Sequence, residues 1–139
     1  MTPLPNELAD LLHYCHSLAK LLLDEQGEFY PFGAYLNNDQ KITQRMFHDG
    51  DDFPLSTGLI NIIKHDFDQQ LAIKNIAASA IAYEARVTNE KYADGVGAIV
   101  VRFNAPYLES AILYYLPFRI TDHQVDYLET WIDAEEEGH

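Results

Sequence analysis

The stretch HYCH places His13 and His16 three residues apart, with Cys15 between them. On a helix, two imidazoles at that spacing share a face and can hold a metal. Cys15 points elsewhere, however, and no third ligand stands at a telling distance. The same pair also suits the edge of an apolar stripe. A second group, FHDGDDF, gathers His48, Asp49, Asp51 and Asp52. Carboxylates this dense suit a divalent cation, but the run lacks the glutamate and the spacing of a calcium-binding loop. It reads equally as a solvated turn built from Asp and Gly.

For acid–base chemistry the best carboxylates are Glu28, before an aromatic run, and Glu84, inside an alanine-rich one. A buried glutamate holds its proton more tightly. Glu84 also stands two residues before Arg86, on the same side of a strand, where an ion pair would account for both. Nucleophile motifs are lacking: there is no Gly-x-Ser-x-Gly, and Cys15 falls in a leucine stripe, where cysteine behaves as a small apolar residue. GVG at 95–97 lacks the third glycine and the helix of a dinucleotide fingerprint. The sequence therefore assigns no catalytic residue, no metal and no cofactor.

Binding is the better-supported chemistry. The net charge is −13, from nine Lys and Arg against 22 Asp and Glu. Phosphate backbones and anionic membrane surfaces are repelled by such a chain, whereas solubility or a basic protein partner suits it. Within this acidic background Arg86, Arg102 and Arg119 each fall on the side of a strand opposite that strand's bulky apolar set. Together with Glu84 and Tyr115 they are expected to form one mixed aromatic and charged sheet face. The chain's nine tyrosines suit both a half-buried sheet and a protein interface.

The elements that would carry these residues follow from periodicity. Leu8, Leu11, Leu12, Cys15, Leu18, Ala19 and Leu22 recur at helical spacing, predicting a helix over 5–26 that stops at Gly27. Two strands are expected over 29–36 and 41–47, joined by NNDQ. Leu59, Ile60, Ile63, Phe67 and Leu71 mark a second helix, capped by Ser56 or Thr57 and ending near residue 75. From residue 76 the period drops to two, predicting three further strands in an antiparallel meander. The stretch 121–133 reads as a helix through a Thr121/Gln124 capping box, or as a strand because Val125, Tyr127, Glu129 and Trp131 alternate; the helix is the preferred reading. Residues 134–139 read as a frayed end. The expected fold is thus a single α+β domain over 1–139, an antiparallel sheet of about five strands with two or three helices on one face, in the order α-β-β-α-β-β-β-α. No stretch reaches the roughly 20 apolar residues that span a bilayer, and the first residues do not read as a signal peptide. One cysteine demands no oxidising compartment. These points suggest a cytoplasmic protein.

GEFYPFGAYL after a leucine-rich helix, IAYEARV, and YYLPFRI closing a strand resemble a pattern found in small bacterial α+β proteins. In these a helix leads into a Gly-Glu-Phe-aromatic-Pro-Phe segment. The resemblance carries no established activity and implies no site residues. The element order is also similar to that of roadblock-like and profilin-like α/β/α sandwiches, a likeness of topology alone. The function expected from these readings is a non-catalytic protein-interaction module, adaptor-like or immunity-protein-like, binding a protein partner or itself. The alternative is a small-molecule-binding domain or enzyme, with an aromatic pocket between helix and sheet holding Glu28 or Glu84.

Overall fold

A computed structural model describes residues 6–29, 31–45, 56–122 and 124–134. The chain runs α1 (Asn6–Gln26), β1 (Phe32–Leu36), β2 (Ile42–Arg45), α2 (Ser56–Ala72), β3 (Ala78–Val87), β4 (Val96–Asn104), β5 (Ile112–Thr121), β6 (Gln124–Tyr127) and β7 (Trp131–Ala134). The α+β class and the antiparallel sheet agree with the sequence reading. Three details differ among the described residues: the sheet has seven strands, the closing helix of the expected order is absent, and the two helices lie on opposite faces.

The strand order is β2-β1-β3-β4-β5-β6, with β7 also pairing β5. Every neighbouring pair is antiparallel. α1 buries Leu8, Leu11, Cys15, Ala19 and Leu23 against one face of the sheet, formed by Phe32, Ala34, Ala80, Ala82, Ile99, Val101, Phe103, Leu116 and Phe118. α2 places Leu59, Ile63 and Phe67 on the other face, over Ile81, Tyr35 and Tyr83. β3 is therefore covered on both sides. Its alanines face α1 and let that helix come close, while its bulkier residues face α2.

The segment 121–133, preferred above as a helix, is β6 and β7. An open edge on β5 explains the outcome. Unpaired backbone groups along that strand are satisfied by a partner strand, and an exposed helix of this length would leave them open. β6 and β7 are one strand interrupted by a bulge. Tyr127 lies opposite Phe118 and Trp131 lies opposite Tyr115, so the outer strand carries one residue more than its partner. The break falls at Pro117. The Leu128 amide donates to the Pro117 carbonyl at 2.8 Å, and proline has no N–H to return the bond.

α1 ends as the glycine predicts. Gly27 has φ +74°, and its amide donates to the Leu23 carbonyl at 2.8 Å, closing the helix in a left-handed cap. Phe29 and Pro31 are buried before β1 opens at Phe32, three residues later than expected. On β1, Gly33 has a different task. A Cβ there would lie 2.7 Å from the Phe67 ring, so the missing side chain is the space that α2 occupies.

Two replacements separate these roles. A Cβ at Gly27 meets no atom within 4 Å, so Gly27→Val is opposed by its positive φ, an expected loss of about 1 kcal/mol or more. Gly33→Ala collides with Phe67 and should cost about 1–3 kcal/mol. Pairing it with Phe67→Leu should recover part of that loss, whereas the same partner change should do nothing for Gly27→Val. Chemical denaturation of the four proteins measures this.

Candidate functional site

The backbone pairing sorts the expected site residues between two faces. Arg102 lies opposite Ile81 on one side and Leu113 on the other, and Tyr115 lies opposite Val100. These residues and Arg119 occupy the α2 face. Glu84 lies opposite Ile99, and Arg86 opposite Gly97, on the α1 face. The expected single face with three arginines is thus corrected: Arg86 and Glu84 part from Arg102, Tyr115 and Arg119. The cause is the alanine row of β3. Ala80 and Ala82 are wholly buried, yet their small size made their face look like the outer one.

Glu84 and Arg86 do not pair with each other either. The Glu84 carboxylate accepts the Phe29 amide at 3.2 Å. Burial raises its pKa, the Phe29 bond opposes that, and Glu28 adds to the rise. The structure brings these two glutamates near one another, which the sequence did not show. Glu28 is exposed, however, and Glu84 holds the backbone that enters β1. The Arg86 guanidinium turns to the β3–β4 loop, donating to the carbonyls of Asp94 at 3.0 Å and Gly95 at 3.5 Å. It lies against Gly95, whose φ is +93° and where a Cβ would come within 2.9 Å of Arg86 Nε.

That loop brings in a residue the sequence analysis did not single out. The Tyr92 amide donates to Asn89 Oδ1 at 2.8 Å. The Tyr92 carbonyl accepts from the amides of Asn89 at 3.3 Å and Gly95 at 3.0 Å. So held, the Tyr92 ring stacks on Trp131, with centroids 6.3 Å apart and planes 25° apart. Trp131 stacks in turn on Tyr115 at 4.7 Å and 15°. The Arg119 guanidinium carbon stands 6.0 Å from the Tyr92 centroid, and Lys91 Nζ stands 5.6 Å from it. Lys91 also pairs with Glu129 at 3.6 Å.

The result is a row of half-buried aromatics, Tyr115, Trp131 and Tyr92, with Arg119 exposed at its end. It rises on the α2 face of the sheet, over β5 and β7, whereas α2 packs on β1 and β3. Arg102 belongs to the same face but is only 8% exposed and supports the sheet beneath. Trp131 joins the row only because of the bulge at Pro117. Val125 and Tyr127 face α1, opposite Ile120 and Phe118; one extra residue reverses the phase, and Trp131 emerges on the other side. The alternation of 125–131 was the available signal for a strand, but it assigned Trp131 to the face of Val125.

The metal and nucleophile candidates resolve separately. His13 is exposed, while His16 sits half-buried, its ring edge-on to Tyr114 at 5.4 Å. Burial holds the His16 imidazole down at about 4, with Lys20 and His13 adding to the effect. Burial pushes the Cys15 thiol up to about 12, which keeps it protonated. Among the described residues no group of three or more His, Cys, Asp or Glu gathers as a metal site. His48, Asp49, Asp51 and Asp52 lie outside the described residues. No described helix is long and apolar enough to cross a membrane. Shallow depressions of about 370 Å³ beside Asp68 and Asn104 and about 380 Å³ beside Glu7 and Asp10 have neither Glu28 nor Glu84 in their walls.

Compared with protein-family models, with curated proteins and with solved structures, the chain matches none.

Two predictions arise here. Arg86→Ala should release the loop: amide exchange over 89–95 quickens, and Trp131 emission shifts as Tyr92 leaves it, with stability falling by only about 1 kcal/mol. Unchanged exchange and emission would count against Arg86 as the residue that positions Tyr92. The second concerns acid. The folded-state pKa of His16 lies below its unfolded value of about 6.5. Its neutral form therefore supports the fold fully above that value, and the support drains away as pH falls toward 4. His16→Leu should flatten the stability profile across that window by about 1–3 kcal/mol relative to the parent, as measured by denaturation at a series of pH values.

Proposed function

We propose that this chain is a non-catalytic protein-interaction module, of the adaptor or immunity-protein kind, which docks a protein partner on the Tyr115–Trp131–Tyr92 row and Arg119. The observation that carries the reading is the stack itself. Trp, Tyr and Arg are the residue types that dominate binding energy at protein interfaces. Here all three converge, half-exposed, on one sheet face and are held by a loop whose backbone is tied down at Asn89, Gly95 and Arg86. A surface ordered in advance loses less conformational entropy on binding.

A soluble cytoplasmic setting belongs to this reading and is supported by the acidic composition and the lone Cys15, which is buried. Nucleic acid and anionic membranes stay excluded from it by charge. The alternative, a small-molecule pocket using Glu28 or Glu84, is weakened because Glu84 is committed to the Phe29 amide.

Single replacements Trp131→Ala, Tyr92→Ala and Arg119→Ala test the reading. Folding is checked by circular dichroism. Self-association is measured by analytical ultracentrifugation, and binding to any copurifying partner by calorimetry. The Trp131 change should weaken association by about 2 kcal/mol or more, roughly 30-fold, with the fold retained. Association that survives all three changes would move the interface elsewhere.

A further inference from the structure

We infer that the occupant of the Trp131 row is a cationic protein segment, one that offers Lys or Arg beside an apolar or aromatic centre. The inference rests on the reading of the row as a docking surface and adds the chemistry of what docks there. Both cations at the row are already matched within it. Lys91 lies over Tyr92 and pairs with Glu129. Arg119 lies over the same ring. What remains is negative. No Lys or Arg follows Arg119 in the chain, so the outer strand that presents Trp131 bears only acidic charge. Asp126 and Asp133 are both exposed and stand on the face of the row, opposite Arg119 and Leu113.

This charge pattern discriminates among occupants. A second copy brings the same acidic strand and the same net charge of −13, so like charges meet across a two-fold contact. Acidic peptides meet the same repulsion. A lysine- or arginine-bearing segment pairs with Asp126 and Asp133. A cluster of one sign also steers such a partner toward the site.

The only tryptophan in the chain is Trp131, so intrinsic fluorescence reads the centre of the row directly. The full chain is titrated with an alternating Lys-Leu peptide and with a Glu-Leu peptide of equal length, each carrying a fluorescent label for anisotropy. The Lys-Leu peptide should bind saturably, change Trp131 emission and weaken with added salt. Asp126→Asn with Asp133→Asn should reduce its affinity by about five- to tenfold. The Glu-Leu peptide should not bind. Lys-Leu binding that ignores the double replacement, or its absence, overturns the cationic assignment. So does a Trp131 response to the Glu-Leu peptide, or to raised protein concentration alone, although either would leave the row standing as a docking surface. Lys-Leu binding seen by anisotropy with silent Trp131 emission, and indifferent to Tyr92→Ala, would remove the row itself.

Discussion

The structure depends on one strand that must be covered twice. β3 is hydrogen-bonded to β1 and β4 and carries a helix on each face. Over residues 78–82 this strand has no solvent side, so both of its residue sets must be packed there. The two sets solve this differently. Ala78, Ala80 and Ala82 are wholly buried and bring α1 close, so the leucines of the helix fill the space. On the other side Ile81 and Tyr83 are bulky, and the room for α2 comes from the next strand, where Gly33 accepts Phe67. Helix position is set by where side chains are missing as much as by where they are large.

A comparable absence shapes the outer edge. Pro117 has no amide to give, so the strand beside it cannot continue in step. The bulge that results costs one ladder bond and reverses the facing of everything after it. Val125 and Tyr127 join the α1 core, and Trp131 crosses to Tyr115. A backbone defect thus delivers the one tryptophan to a surface where two tyrosines can stack on it.

The polar residues that looked chemically promising mostly hold backbone in place. Glu84 receives the Phe29 amide, and Arg86 receives two loop carbonyls as its partners. Both act at a distance on the candidate site or the core: Glu84 by fixing the entry to β1, Arg86 by fixing the loop that offers Tyr92. Glu84 would strain a small core if left without a partner, since partly buried polar groups are costly when unsatisfied.

The sequence by itself determined the class, the two helices, the glycine cap at Gly27 and the meander of β3 to β5, because each rests on local periodicity or on the conformational freedom of a single residue. It also placed Tyr115 and Arg119 on one side of β5, since alternation within a strand needs no partner. Only the tertiary structure decided how the strands align, that the helices take opposite faces, and that 124–134 pairs with β5 instead of coiling. Alternation records which residues share a side, but not which sides of neighbouring strands coincide, and burial on both faces removes the polar side that would have shown it. Arg86 and Glu84 were misplaced for that reason. Tyr92 and Trp131 were missed because one belongs to a loop and the other follows a bulge, and neither position is set by the period of its own segment.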